Sequence, residues 1–407
     1  MSPLASYRHL LALAGPRYVA TAFVGRLPLA MSQMGTLLLV AATTGSYAAA
    51  GLAAGTLAVA NAVGSPLAGA LADRLGQRPV VLAQSVAGGL GLLALVALAR
   101  TGAPLPAVLA AAGLTGLVLP QIGPLARVRW RPITAPAGAL QPRLVDAAFS
   151  YEGAADEATF VLGPALLGVL VLLDPGAGLV LAAALLLVFG SAFALHPTAA
   201  LAHAARGAVR AGGTLLSGAF VALLLAQLLI GVVFGSVQTG TTVLATAAGQ
   251  PGLAGLVHAT LGVGSVAAGL ALAALPGRVG PANRLVGFAG GLFALALPLL
   301  WVDSLGALVA VVLVLGLAVA PYMITAFTLG ERAAPPGRVG TAMTLLAAAT
   351  GLGYALGAGL AGRLADGSAH TAAFAVTVGA GAAALLLAGL ARPTLRAVAG
   401  PGPRLGS

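Results

Sequence analysis

The sequence contains no cysteine and no lysine, and only 9 of its 407 residues are acidic. Without cysteine there can be no disulfide, although nothing follows from that about redox compartment. Without lysine there is no phosphate-cradling loop of the kind that powers ATP-driven pumps, and no Schiff-base or lysine-base chemistry. None of the fourteen serines has a glycine two places before it, as a nucleophile elbow requires. The five histidines (His9, His196, His203, His258, His370) are scattered, and none stands in HExxH spacing with Glu152, Glu157 or Glu331. We therefore expect neither an enzyme nor a metal or cofactor site.

Charge as a whole is also scarce. Hydrophobic residues make up 59% of the chain and charged residues 7%, against about 25% charged in soluble domains. Such a chain cannot cover itself in water. At roughly 20 apolar residues per crossing, its length accommodates about twelve transmembrane helices. The apolar stretch after Arg8 and His9 ends at Gly15-Pro16, too short for a secretory signal, so an uncleaved start is expected.

Apolar segments recur at about 18–44, 46–72, 79–99, 104–126, 148–173, 176–195, 215–245, 252–275, 285–302, 305–328, 341–362 and 370–391. With twelve crossings both termini share a side. That side collects 17 of the 20 arginines, among them Arg74, Arg78, Arg127, Arg129, Arg131, Arg143, Arg206, Arg210, Arg278 and Arg404, whereas the other has Arg100 and Arg363 only. The positive-inside rule makes the arginine-rich side cytoplasmic, termini included. The net charge of +11 is then an orientation signal and needs no nucleic-acid partner.

The second half repeats the first. An offset of 200 aligns Gly35 with Gly235, Gly55 with Gly255, Val63-Gly64-Ser65 with Val263-Gly264-Ser265, Gly69 with Gly269, and Arg78 with Arg278. Parallel six-helix repeats are how many secondary transporters are built. The expected organisation is an N-terminal bundle over 1–195, a cytoplasmic linker over 196–214, and a C-terminal bundle with a short tail over 215–407.

Between the second and third segments runs Gly69-Ala-Leu-Ala-Asp73-Arg74-Leu-Gly76-Gln-Arg78. It resembles the G-x-L-x-D-R-x-G-x-R loop of the major facilitator superfamily, and the twelve-helix repeat agrees over the whole chain. Gly69 permits close helix approach and Gly76 a tight turn. The resemblance implies an all-α membrane protein, two pseudo-symmetric six-helix bundles, and a latch that places Asp73 near Gly340 and Thr341 at the start of helix 11. An acid suits a helix N-terminus, while Arg74 and Arg78 can bind carbonyls or lipid phosphates. The second-half copy has Ala273 in place of the aspartate, so the two halves are not equivalent.

Helix 5 carries Glu152, Asp156 and Glu157, and helix 1 carries Arg26 at similar depth. An isolated charge near the bilayer centre costs about 2.5–3.5 kcal/mol on insertion scales, so the cluster must be paired, protonated or wet. Helices 1 and 5 share the N-terminal bundle in the family, which lets Arg26 meet Asp156 or Glu157. Glu152 and Asp156 share a helix face, and Glu157 lies about 100° around from Asp156. One carboxyl can pair with Arg26 while another exchanges a proton with a water-filled cleft, the part a proton-coupled carrier needs. A static clamp that stiffens the bundle is the competing reading. Gly163-Pro164 in the same helix is similar to part of the glycine-proline motif of the superfamily's antiporters, and is otherwise an ordinary kink.

Cleft candidates are Arg26 and Gln33, seven apart on helix 1, and Gln227, Gly231, Phe234 and Gln238 along helix 7, since both helices line the central cavity in the family. Asn61, Gln121, His258, Tyr322 and Tyr354 follow. With 5% aromatics there is no dense ring-stacking set for sugars, and a lining of Ala, Leu, Val and Gly suits hydrophobic or amphiphilic molecules. We expect a monomeric, proton-coupled exporter of such molecules in the cell membrane, with protons, a small-molecule substrate and membrane lipids as partners. The rival expectations are a permease for sugars or other small polar solutes, and a non-transporting receptor or scaffold.

Overall fold

In hydrocarbon every backbone N–H and C=O must find its partner within the chain, so an apolar sequence rich in Ala, Leu, Val and Gly resolves into helices. The computed structural model describes residues 3–207, 214–250, 253–275 and 279–399, and all of its regular structure is helical. Arg210, Arg278, Arg404 and the centre of the expected linker lie outside the described residues, as does the side chain of Arg206.

A short α1 (Pro3–Ala14) precedes the first crossing, which is made of two pieces, α2 (Pro16–Val24) and α3 (Leu27–Thr44). Then come α4 (Tyr47–Leu75), α5 (Gln77–Arg100), a second split crossing α6 (Leu105–Val118) plus α7 (Ile122–Thr134), and α8 (Gln141–Leu170). The first half closes with α9 (Ala177–Leu195), and α10 (Thr198–Gly207) leads out of it. The second half comprises α11 (Gly218–Ala247), α12 (Ala254–Ala271), α13 (Pro281–Ala296), α14 (Leu305–Ala333), α15 (Val339–Ala365) and α16 (His370–Val398). By length and apolarity there are 11 spans, one of them a 66-residue stretch over Leu105–Leu170. That stretch folds back at Gly138, whose φ of 54° and ψ of −121° are non-helical, so α6–α7 and α8 are separate crossings and the described residues make twelve.

Serine caps start three of the long helices, with Ser46, Ser217 and Ser304 accepting from Ala49, Phe220 and Ala307 N–H. Gly76, at φ 91°, makes the tight turn between α4 and α5.

The repeat at offset 200 reappears as packing. A Cβ on Gly64 would lie 2.2 Å from the Leu117 carbonyl oxygen, and one on Gly264 2.1 Å from that of Leu313. Gly116 faces the Leu57 carbonyl and Gly316 that of Leu261 in the same way. α4 against α6 and α12 against α14 are therefore the same glycine-mediated contact made twice.

Both split crossings break for a stated reason. Pro28 has no N–H to return to Val24, and the chain tightens through Arg26 N–H to Phe23 O at 3.2 Å. Pro120 likewise leaves the Gly116 carbonyl without its helical donor, and the Asn61 amide supplies it, donating at 3.0 Å to both Gly116 O and Leu119 O. Gln121 Nε2 then donates to Asn61 Oδ1 at 2.8 Å. Asn61 and Gln121, candidates for the cleft from sequence, thus patch a broken helix. Asn61→Ala is expected to cost about 1–3 kcal/mol, the price of orphaned buried carbonyls. Pro120→Ala should recover much of it by restoring an N–H, and thermal unfolding of the purified variants reads both.

Candidate functional site: a buried charge cluster and the seams between the halves

The two breaks come together over α8. Gly25 packs on Ile122 at the start of α7, and a Cβ on Gly123 would lie 2.6 Å from Asp156 Oδ1 and 3.2 Å from Arg26 Nε. Arg26, at the break between α2 and α3, donates through Nη2 to Glu152 Oε2 and holds Asp156 Oδ1 at 3.4 Å through Nε. Glu152 is fully buried and accepts from Trp130 Nε1 at 2.6 Å on its other oxygen. Asp156 Oδ2 lies 2.8 Å from Arg127 Nη2, and the Arg127 guanidinium sits 4.3 Å over the ring of Phe327 on α14.

Sequence spacing put Arg26 with Asp156 or Glu157; its partners are Glu152 and Asp156, which share a face one turn apart. Glu157, rotated off that face, is buried with no guanidinium beside it and lies near Ser265 of α12, whose hydroxyl makes no hydrogen bond of proper geometry. Around it the α8–α12 seam is built from small residues: a Cβ on Gly262 would lie 2.5 Å from a Val161 methyl, and one on Gly269 3.7 Å from Ala154 N.

Arg127 and Arg129 are a correction. Expected as topology signals in a loop, both are buried on α7, because the helix resumes after Pro120 and runs to Thr134. Arg129 Nε donates to Gln77 Oε1 at 2.8 Å, and its Nη1 donates to Phe193 O at 2.8 Å and Thr198 Oγ1 at 3.1 Å; the guanidinium stacks 3.7 Å over the Phe193 ring. Neighbouring His196 is held below the usual histidine range by burial first and then by Arg129 and Arg17. The clue in the sequence was Trp130 set among three arginines, an aromatic that a solvated loop has no use for.

Among the described residues, hydrogen bonds and ion pairs join the halves at the arginine-rich end. Asp73 Oδ1 accepts from Gly340 N–H at 3.0 Å, and Oδ2 from Thr341 N–H and Oγ1, both at 2.7 Å. Gly69 lets α4 reach α15, since a Cβ there would sit 2.2 Å from Thr344 Oγ1. Arg131 holds Glu331 with both arms, at 2.5 and 2.7 Å, and Arg332 reaches Asp146 at 3.4 Å. Tyr7 on α1 donates to Leu270 O at 2.8 Å. Arg74 and Arg78 are exposed. Among the described residues no hydrogen bond or ion pair joins the halves at the opposite end. There Asp174 pairs with Arg100 inside its own half, held below the usual carboxylate range by the Gly176 N–H first and the guanidinium after it.

The remaining candidates separate. Gln33 and Gln238 are exposed; Gln238 accepts from Tyr354 OH across to α15. Because the first crossing breaks at Arg26, that residue and Gln33 do not share one continuous helix face. Gln227 is fully buried with neither amide atom hydrogen-bonded, Gly231 abuts the Thr350 carbonyl, and Phe234 is half-buried. Tyr322 is buried and donates to Ala226 O at 3.3 Å, tying α14 to α11. Gly163 faces Ala30 of α3, with Pro164 inside α8.

Residues 20–346 match the Major Facilitator Superfamily. The chain belongs to that superfamily. It is a multi-pass membrane transporter and not an enzyme. The fold is shared with the human organic anion transporter MFSD10 (TETRAN), at 22% identity and a TM-score of 0.68, over 92% of this chain and 100% of that one. A bacterial homologue of the iron transporter ferroportin in an outward-facing state is similar at 16% identity and a TM-score of 0.71, over 93% and 98%. The fucose:proton symporter FucP of E. coli is similar at 16% identity and a TM-score of 0.61, over 92% and 99%. No curated protein matches by sequence.

Proposed function

We propose that this superfamily member is a proton-coupled exporter of hydrophobic or amphiphilic small molecules. It works as a monomer in the cell membrane with both termini cytoplasmic. Residues 1–195 and 215–407 form the two bundles, joined by the linker 196–214, and they rock about a midplane site. In this reading the cross-half contacts close the cytoplasmic side, and the arrangement described here opens outward. Gly163 and Pro164 shape α8 beside α3, and lipid phosphates meet the exposed Arg74 and Arg78.

The observation that carries the reading is Glu157, a buried carboxyl without a cation, placed on the seam that must open and close. Intramembrane carboxyls of this kind exchange protons along transport pathways. Arg26, Glu152 and Asp156 beside it are charge-paired and hold the helix in register. The division of labour follows the repeat: Ser65 matches Ser265, but Gly357 stands where the equivalent of Glu157 would be, and Ala273 where that of Asp73 would be. One seam carries the carboxyl and the other carries the latch.

Substrate-induced proton movement in everted vesicles tests this. Glu157→Gln is expected to abolish proton movement, a loss of at least tenfold, with protein abundance unchanged. Asp156→Asn should weaken it less. Wild-type coupling in both variants refutes the proton role. Exposed Gln238, bonded to half-buried Tyr354, favours a second reading, uptake of small polar solutes, which accumulation of labelled solutes in proteoliposomes distinguishes from efflux.

A further inference from the structure

The cluster around Asp156 holds more hydrogen-bond donors than its acceptors use. Arg127 has a wholly buried side chain, and its Nε, Nη1 and Nη2 make no hydrogen bond of proper geometry, Asp156 lying off the donor axes. Arg26 Nε and Nη1 are in the same condition. A buried guanidinium presents five N–H donors, and leaving such donors unmet is costly.

Charge points the same way. Around α7 the buried guanidiniums of Arg26 and Arg127 face two carboxylates, Glu152 and Asp156, while buried Arg129 is held by Gln77, Phe193 and Thr198 with no carboxylate, and Glu157 has no guanidinium beside it. One positive charge is left without a fixed counter-ion. The N-terminus of the 13-residue α7 adds a partial positive charge beside Asp156, where Gly123 brings the backbone close. Asp156 is 18% exposed, so solvent reaches this group at the edge of the cluster. Arg127 also touches both halves, rising from α7 and stacking on Phe327 of α14. A ligand held there is felt by both bundles.

We infer that the transported molecule is an amphiphilic organic anion, whose carboxylate, sulfonate or phosphate group docks on Arg127 and Arg26 beside Asp156. The inference rests on the transport reading above and assigns its substrate class. A guanidinium takes a planar oxyanion through two parallel N–H bonds, and the Phe327 ring borders the same spot for the apolar body. Glu152, Asp156 and Glu157 of α8, taken alone, suggest a cationic substrate. Pairing of two of them with arginine removes that attraction, and the leftover donors reverse it.

Equilibrium dialysis of the purified full-length protein in detergent, without any ion gradient, tests the class with one ring system carrying different groups. The probes are 1-naphthoate and 1-naphthalenesulfonate, against neutral naphthylmethanol and cationic naphthylmethylammonium. The acids are expected to bind at least tenfold tighter than the alcohol and the cation. Arg127→Gln should lose that preference by at least tenfold, and Arg127→Lys, which keeps the charge but not the fork, should lose part of it. If Arg127→Gln fails to fold because Asp156 keeps only Arg26 as a cation, Arg127→Gln/Asp156→Asn removes one charge of each sign and should still have lost anion binding. Binding confined to the cation or the alcohol, no binding by either acid, or acid binding kept within twofold in the Arg127 variants overturns the inference. Because dialysis needs no proton gradient, that outcome is distinct from a failure of coupling in vesicles.

Discussion

Arg26→Ala is expected to remove most of the folded protein. The change leaves Glu152 fully buried with the Trp130 indole as its remaining partner, and takes one of two cations from Asp156. Breaking a buried ion pair from one side costs about 3–5 kcal/mol, a large fraction of the roughly 5–15 kcal/mol that holds typical domains folded. The site also has no alternative geometry to relax into. Arg26 sits at the gap between α2 and α3, with Gly25 pressed on Ile122 and Gly190, so losing the guanidinium loosens the first crossing where its backbone is already interrupted. Size-exclusion profiles and thermal unfolding of the detergent-solubilised variant should show several-fold lower yield and a lower midpoint. Arg26→Gln/Glu152→Gln, which removes both charges and keeps hydrogen-bonding capacity, should recover more than half of the loss. Wild-type stability in Arg26→Ala would mean that packing alone holds the break.

The cluster shows where sequence reasoning reaches and where it stops. Periodic apolar runs and the offset of 200 were sufficient for twelve crossings and the two bundles, because in lipid an apolar run has one outcome. Glu152, Asp156, Glu157 and Arg26 stood out because charge in such runs is rare. Arg127 did not, since Arg-Val-Arg-Trp-Arg between Pro124 and Pro132 reads as a loop. Its burial depends on α7 resuming after Pro120, which in turn depends on an amide on α4 capping the broken end. Contacts between residues 55 or more positions apart leave no local pattern. Glu157 was legible as an acid, but its isolation from arginine is set by a rotation of 100° about α8 and by Ser265 on a helix of the other half.

At the opposite seam, Asp73→Asn is expected to slow transport by about tenfold without changing the amount of protein in the membrane. Asp73 receives three hydrogen bonds, from two backbone N–H groups and one hydroxyl at the start of α15. Each is charge-assisted, and the carboxylate faces the positive end of a helix dipole. Asparagine keeps one acceptor oxygen and turns an NH2 toward a backbone donor, so a loss of about 1.5–3 kcal/mol from the closed arrangement follows. At 1.4 kcal/mol per factor of ten, the balance between closed and open shifts by roughly 10- to 100-fold. Arg131 with Glu331, Arg332 with Asp146, and Tyr7 with Leu270 also join the halves at this end, so under the proposed closure the variant is expected to stay active at a reduced rate. Because the chain has no cysteine, one engineered thiol can report the seam directly. Thr344→Cys, buried against Gly69, should react with a maleimide about tenfold faster when Asp73→Asn is present. Unchanged labelling together with unchanged transport would show that Asp73 orders the loop without gating the seam, and closure would then rest on the ion pairs of Arg131 and Arg332.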